Sequence, residues 1–233
     1  MLENKKIAVI IPVLNEEKTL PRVLNDISNE IVDEVVVVDN GSSDRTVAVA
    51  EELGATVLQE TKKGYGYPCL KGMEYLRGKT PDIVVFLDGN YSDYPDEIIK
   101  LVEPMVHEGY DLVLGSRTLG RVEKGALRFP VRFGNLLATV LIRIFYGFKY
   151  TDLGPFRAIR FDKLMGLDMH DNLGWTIEMQ VKAVKRRFKI LEVPVSYRAG
   201  TGKSKFTGDI RGIARIGYRI MRAIFGNLFY SPK

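Results

Sequence analysis

The sequence predicts an α/β fold, a mostly parallel sheet with helices on both faces, followed by an amphipathic C-terminal helix. Three observations predict it. Short runs rich in Val, Ile and Leu alternate along the first half with segments of helical period. Those runs are continuously apolar rather than alternating, which suits strands covered on both faces. The chain of 233 residues is 45% hydrophobic, enough for one sizeable domain that buries most of its apolar surface.

The strand runs are 7–13, 34–39, 56–58, 82–88 and 111–115, and the helical segments between them are 17–27, 44–53, 67–76 and 96–107. Asp44 and the run Tyr94-Pro95-Asp96-Glu97 are helix-start signals, and Gly54 closes a helix. Repeated βα units imply a doubly wound sheet, in which ligands bind outside the carboxyl ends of the strands. Those ends carry Pro12-Val13-Leu14-Asn15-Glu16, Asp39-Asn40-Gly41-Ser42-Ser43-Asp44, Asp88-Gly89-Asn90 and Ser116-Arg117, so polar groups are expected to converge on one rim.

After Arg117 the pattern changes. A basic loop with Arg121, Lys124 and Arg128 leads to an apolar helix at 133–146. An apolar run at 150–159, a helix at 176–186 and a strand at 189–195 follow. The segment 197–208 is rich in Gly, Lys and Ser and reads as a loop, and 209–229 is helical by period. No internal repeat and no interdomain linker is evident.

Composition excludes several classes. With 27% charged residues, 22 Gly and 10 Pro, the chain is neither disordered nor collagen-like. The longest apolar stretch, 136–148, is short for a membrane span and contains Arg143. The N-terminal MLENKKIAVIIPV runs into a strand without a signal-peptide pattern. One cysteine, Cys69, leaves no internal disulfide framework and fits a reducing compartment. Two histidines, His107 and His170, give little material for a histidine metal site or relay. Charge is divided along the chain. Residues 1–116 hold 11 Lys/Arg against 21 Asp/Glu, and residues 117–233 hold 23 against 8. That asymmetry suits an acidic half that holds a metal ion and a basic half that meets phosphates or an anionic membrane; it is also compatible with an uneven solvated surface.

Asp88 and Asn90 leave a buried strand two residues apart, a spacing that lets two oxygens share a hard divalent cation such as Mg2+. The same residues favour turns, and spacing alone leaves both readings open. Asp39 ends a strand where a carboxylate can accept a hydrogen bond from a nucleobase imide, whereas Asp44 reads as a helix cap. Lys63-Gly64-Tyr65-Gly66 lacks the Walker lysine spacing, and no G-x-G-x-x-G follows the first strand.

The runs IPVLNEEKTL, VVDNGSSDRT, VVFLDGNYSDYPDEI and LGSR, followed by TDLGPFRAIR, GWTIEMQ, EVPVSYR and GTGKSKFTG, resemble family 2 glycosyltransferases of the GT-A (Rossmann-like) fold. Within that family the resemblance is nearest to dolichol-phosphate mannose synthase and the polyprenyl-phosphate glycosyltransferases, and it covers nearly the whole chain. It implies that Pro12, Leu14, Glu16 and Asp39, with Gly64 and Gly66 nearby, line a nucleoside pocket. Asp88 and Asn90 stand at the D-x-D metal motif, which takes Mg2+ or Mn2+. Here Asn90 is neutral, and Ser92 and Asp93 follow as oxygen donors that would compensate. Arg117 stands near the donor phosphates. Arg128, Arg157, Arg198, Lys203, Ser204 and Lys205 supply groups for donor and acceptor phosphates.

The resemblance further implies an inverting transfer of a hexose, mannose or glucose, from a GDP- or UDP-sugar to a polyprenyl or dolichyl phosphate. With a phosphate acceptor no base is needed. With a soluble or protein hydroxyl acceptor a base is needed, and Glu178 is the candidate, although it also stands at i, i+4 from Lys182. The domain division implied is 1–208 for the transferase, with a donor half at 1–116 and an acceptor half at 117–208, and 209–233 for a basic helix. On that helix Arg211, Arg215, Arg219 and Arg222 share one arc opposite Ile213, Ile216, Ile220 and Ile224, as in helices that lie in the membrane interface. The expectation is a peripheral protein on the cytoplasmic face of a membrane, bound directly or through a membrane-protein partner. A nucleotidyltransferase would show a glycine-rich first loop, absent after Val13. A nucleic-acid binder is disfavoured by the acidic rim, and a salt-titrated duplex-binding assay would detect it.

Overall fold

The structure, a computed structural model, describes residues 4–170, 174–200, 210–228 and 230. Strands β1 (Ile7–Val13), β2 (Glu34–Asp39), β3 (Thr56–Gln59), β4 (Ile83–Phe86), β5 (Leu112–Ser116), β6 (Arg157–Arg160) and β7 (Ile190–Pro194) form one sheet in the order β3-β2-β1-β4-β6-β5-β7. The helices among the described residues are α1 (Leu20–Asp26), α2 (Thr46–Glu52), α3 (Gly66–Arg77), α4 (Ile98–Glu108), α5 (Phe129–Tyr146), α6 (Phe161–Gly166), α7 (Trp175–Lys185) and α8 (Ile210–Gly226).

Strand period divides the core in two. Ala8 and Ile10 of β1, with Val36, Val38, Val84 and Phe86, face one side, where Met73 of α3, Ile142 of α5, Val181 of α7 and Ile224 of α8 cover them. Ile7, Val9 and Ile11, with Val37 and Val85, face the other, beneath Leu20 of α1, Ala50 of α2 and Leu101 of α4. Both faces are therefore buried, which is why the strands lack a polar alternation. Each Val or Ile side chain removed from water contributes about 1.5–3 kcal/mol.

The chain winds outward from β1 in two directions, through β2 to β3 and through β4 towards β7, so a crevice opens between the carboxyl ends of β1 and β4. Pairing is parallel throughout except at β6, which runs antiparallel between β4 and β5. Arg157 opens β6 opposite Phe86 on one side and Leu114 on the other. Because β6 is reversed, the segment that feeds it, 150–156, lies at the same rim as the carboxyl ends of the parallel strands.

Several boundaries differ from the sequence reading for local reasons. The helix expected at 17–27 begins at Leu20, after a turn in which Asn15 adopts a positive φ of 54°. A 3-10 turn at Pro95–Glu97 precedes α4. The apolar helix expected at 133–146 begins at Phe129, because Pro130 occupies its first turn, where a missing N–H costs nothing. The six-residue helix α6 and the reversal of β6 were not foreseen.

Candidate active site

The crevice is lined first by the turn after β4. Gly89 lies so close to β1 that a Cβ there would stand 2.6 Å from Val13 Cγ1, so only glycine lets this turn pack against the strand. Asp88 is partly exposed and accepts a 2.8 Å hydrogen bond at Oδ1 from the Tyr65 hydroxyl, at the start of α3. Burial raises the Asp88 carboxyl above its ordinary value; the Tyr65 hydrogen bond and Arg117 oppose the rise, and Glu16 adds to it. Asn90 turns inward on its own loop, its Oδ1 accepting from the Ser92 N–H at 2.9 Å. Asp93 is 1% exposed, and neither carboxylate oxygen has a hydrogen-bond partner among the described residues. Burial, reinforced by Asp88, pushes its carboxyl up to about 8.

The opposite wall comes from β5 and the segment before β6. Arg117 donates to Asp152 from Nε to Oδ2 and from Nη2 to Oδ1, each at 2.7 Å, and its backbone N–H adds a 2.8 Å bond to Oδ2. Arg117 is 8% exposed and Asp152 3%. The pair holds Arg117 above the usual arginine range against the opposing effect of burial. Glu192 of β7 accepts the N–H groups of Thr151 and Asp152 at 2.9 and 3.1 Å, and Asn135 of α5 bonds Thr151 O and Leu153 N. The Asp152 segment is thereby tied both to the sheet and to α5.

Arg157 is fully buried beneath this wall. It donates to the carbonyls of Gly154, Pro155 and Thr176, and burial lowers it to about 10. Arg198 packs on the rings of Tyr91 and Tyr94, 3.3 and 4.0 Å from their centroids, and donates to the carbonyls of Tyr91 and Asp93. Tyr197 pairs with Asp93 through an isolated bridge and lies under the Arg117 guanidinium, 5.0 Å away.

At the end of β1, Pro12 within the strand and Leu14 and Glu16 just after it are each partly buried, and Glu16 accepts from the Thr19 hydroxyl at 2.8 Å. Asp39 is buried, and its oxygens accept the N–H groups of Gly41 and Ser42. Asn40 Oδ1 accepts from Gly64 N, and its amide donates to the carbonyls of Glu60 and Lys62, which fixes the loop carrying Gly64 and Gly66 beside Asp39. Asp44 bonds Thr46 N at 3.0 Å and so shapes the start of α2 as a turn residue.

Other positions lie apart. Arg128 is exposed at the start of α5. Glu178 is buried in the first turn of α7, where its Oε1 lies 2.7 Å from Lys182 Nζ and 3.0 Å from His170 Nδ1, so the i, i+4 pairing is formed. Lys203, Ser204 and Lys205 lie outside the described residues, as do the side chains of Arg211, Arg215, Arg219, Ile213 and Ile216.

The sequence reading did not single out Asp152 or Tyr65. Asp152 belongs to the run TDLGPFRAIR, in which the resemblance implies a role for Arg157 alone, and its partner Arg117 is 35 positions away. No local signal marks Tyr65 as the residue that would reach Asp88.

The rim is a donor set of hard oxygens. Among the described residues no three acidic, His or Cys side chains converge as a self-sufficient metal site. A cation here would complete its shell from substrate and water, as Mg2+ does at phosphate sites. The unpartnered buried oxygens of Asp93, close enough to Asp88 for its charge to be felt, fit such an ion.

The α/β sheet opens a ligand crevice at its switch point, lined by an acidic strand-end turn and a buried arginine wall. The model of glycosyl transferase family 2 matches residues 8–167, and the chain belongs to that family. It is a glycosyltransferase. It is 34% identical to an uncharacterized glycosyltransferase of Mycobacterium tuberculosis over 210 residues, covering 88% of this chain and 92% of the relative. It is 32% identical to a dolichyl-phosphate hexose transferase of Haloferax volcanii over 223 residues, covering 93% of this chain and 92% of that one. The fold is also that of glucosyl-3-phosphoglycerate synthase from Mycobacterium tuberculosis, crystallised with Mn2+, UDP and phosphoglyceric acid. There the TM-score is 0.77 at 23% identity, covering 99% of this chain and 81% of that one.

Proposed function

We propose that this glycosyltransferase moves a hexose, mannose or glucose, from a GDP- or UDP-sugar to a polyprenyl or dolichyl phosphate, while bound peripherally to the cytoplasmic face of a membrane. The observation that carries the reading is α5. This 18-residue helix buries only Ala138, Thr139 and Ile142 and leaves Phe129, Phe133, Leu136, Val140 and Ile144 45% or more exposed. By length and composition it is apolar enough to cross a bilayer. Arg132 and Arg143 along its exposed surface, and its packing against α7 and α8, favour lying in the interface instead. Arg222 and the exposed Tyr218 and Met221 of α8 extend the same combination of charge and apolar surface. Asn135 of α5 holds the Asp152 segment, so a lipid phosphate held at this ridge would arrive beside the arginine wall.

In the reaction the phosphate oxyanion of the acceptor attacks the anomeric carbon. The bond from that carbon to the nucleotide diphosphate breaks, and its electron pair leaves with the diphosphate. The acceptor loses no proton, so the chain's task is positioning and charge stabilisation. Asp39, Glu16, Pro12, Leu14 and the Gly64–Gly66 loop form the nucleoside end of the crevice. Asp152 orients Arg117 towards the site, and buried Arg157 acts on it through charge. Asp88 would hold Mg2+ or Mn2+, which supplies neutralisation of the departing diphosphate. The alternative, a hydroxyl acceptor with Glu178 as base, draws on the unpartnered Glu178 Oε2, while Oε1 is engaged by Lys182.

The test offers labelled UDP-glucose and GDP-mannose separately with Mn2+ or Mg2+ and a polyprenyl phosphate in detergent, then partitions the products. Label in the organic phase is the expected result. Label confined to the aqueous phase with release of nucleotide diphosphate would refute the lipid acceptor.

A further inference from the structure

Asp93 is the least satisfied group at the rim. A carboxylate 1% exposed with both oxygens unpartnered among the described residues is costly, because burial removes its hydration and no donor replaces it. The backbone around it is well determined. Arg198 donates to its carbonyl at 3.1 Å, the bridge to Tyr197 fixes its strand-like run, and the Ser92 N–H is bound to Asn90. Its side chain is enclosed, with neither oxygen hydrogen-bonded among the described residues. The charges that act on it are Asp88 first, then Arg117, Asp152 and Arg198. Arg117 is already engaged by Asp152 in a two-pronged pair, and Arg198 by carbonyls and aromatic rings, so neither donates to the Asp93 carboxylate.

Asn90 presents the opposite case. Its side-chain oxygen closes the turn to Ser92 and carries no charge. Withdrawing it towards a cation would leave the buried Ser92 N–H without its acceptor.

We propose that Asp93, rather than Asn90, is the second protein ligand of the divalent cation held by Asp88, and that Asn90 serves the turn that presents both. This rests on the metal-assisted transfer proposed above. A second anionic oxygen restores to the rim the charge that the neutral Asn90 omits, and hard cations favour carboxylates over amides where one is within reach.

The test is direct Mn2+ binding, read by the loss of the free-ion electron paramagnetic resonance signal, with and without UDP or GDP. The proteins compared are the unmodified chain, Asp88→Asn, Asp93→Asn and Asn90→Ser, the last keeping a short turn acceptor. Asp88→Asn and Asp93→Asn are each expected to weaken Mn2+ binding about tenfold or more, by analogy with the loss of groups that support a metal. Asn90→Ser is expected to leave binding unchanged. Asp93→Asn should also unfold, without metal, at a temperature no lower than the unmodified chain, since it removes an unpartnered buried carboxylate. Asp93→Cys provides a second handle: a thiolate ligand should reverse the preference from Mn2+ to Cd2+. Unchanged Mn2+ affinity in Asp93→Asn, or no Cd2+ preference in a folded Asp93→Cys, with loss in Asp88→Asn, would overturn this assignment and leave the metal reading intact. Retention of binding in Asp88→Asn, or no binding by the unmodified chain with either nucleotide, would overturn both.

Discussion

Replacing Asp152 by Ala should destabilise the fold far more than a surface change. Asp152 accepts two side-chain bonds and one backbone bond from Arg117 and a 2.8 Å bond from Leu153 N. At 3% and 8% exposure neither partner is screened by water. Breaking a buried pair by removing one member typically costs about 3–5 kcal/mol, because the remaining charge stays desolvated. For a chain of this size each kcal/mol moves the thermal midpoint by about 2–4 °C, so a fall of about 6–20 °C is expected. Reversible thermal or urea unfolding followed by circular dichroism measures it. The double variant Asp152→Ala with Arg117→Met should recover part of the loss, since it removes the stranded guanidinium as well as its partner. A fall of less than about 1 kcal/mol in the single variant would refute the reasoning, because it would mean that water reaches Arg117 and replaces the carboxylate.

Two other perturbations address how the rim is held. Glu97 accepts from Lys100 Nζ at 2.8 Å and Ser196 N at 2.7 Å; burial raises its carboxyl, but these bonds prevail and hold it below the ordinary value. Its stabilisation is therefore complete above the unfolded pKa and is lost as pH falls through the folded one. Glu97→Gln should cost about 1–2 kcal/mol at pH 7, discounted for the half-exposed Lys100, and the gap to the unmodified chain should close below about pH 4 in urea titrations. A Cβ on Gly120 would stand 1.9 Å from Val195 O, where the basic loop crosses the exit of β7. Gly120→Ala should cost about 1–3 kcal/mol by unfolding and also lower nucleotide affinity, since the same crossing places Tyr197 and Arg198; unchanged affinity would argue against that coupling.

The legible parts of the fold were those written in a continuous run. Ile7–Val13 and Glu34–Asp39 are strands at the expected bounds because each is an unbroken series of residues that must be covered on both faces. The carboxyl ends of β2 and β4 bring Asp39 and Asp88 to one rim of the sheet by topology alone. The reversal of β6 was not legible, because four residues, Arg157–Arg160, carry no mark of direction. That reversal is what delivers Asp152 to Arg117, so the pair was hidden with it. The contact between Tyr65 and Asp88 was hidden for a related reason, as a hydroxyl at the start of α3 meets a carboxylate 23 positions on only after the intervening chain has wound back to the sheet. Helix starts shifted where turn chemistry intervened, at Asn15 and at Pro130.

The division of charge along the chain acquires a physical sense at the rim. Glu16, Asp88 and Asp93 come from the acidic half, and Arg117, Arg157 and Arg198 from the basic half. Yet the three arginines are not presented as open phosphate clamps: Asp152 holds the first, carbonyls enclose the second, and carbonyls with aromatic rings hold the third. They set the potential of the crevice while their donors are largely engaged. Under the proposed function, a nucleotide diphosphate entering beside these three acids would need a cation that it brings with it. A lipid-linked acceptor phosphate, as proposed above, would need further positive charge from outside this wall, and the exposed Arg128, just before α5, and Arg132, in its first turn, are the candidates. On this reading donor and acceptor phosphates are neutralised by different agents, metal for the one and interfacial arginines for the other. Arg128→Ala with Arg132→Ala should therefore raise the KM for a polyprenyl phosphate in anionic vesicles and leave the KM for the nucleotide sugar unchanged. Parallel rises in both constants would show that the two phosphates share one set of cations.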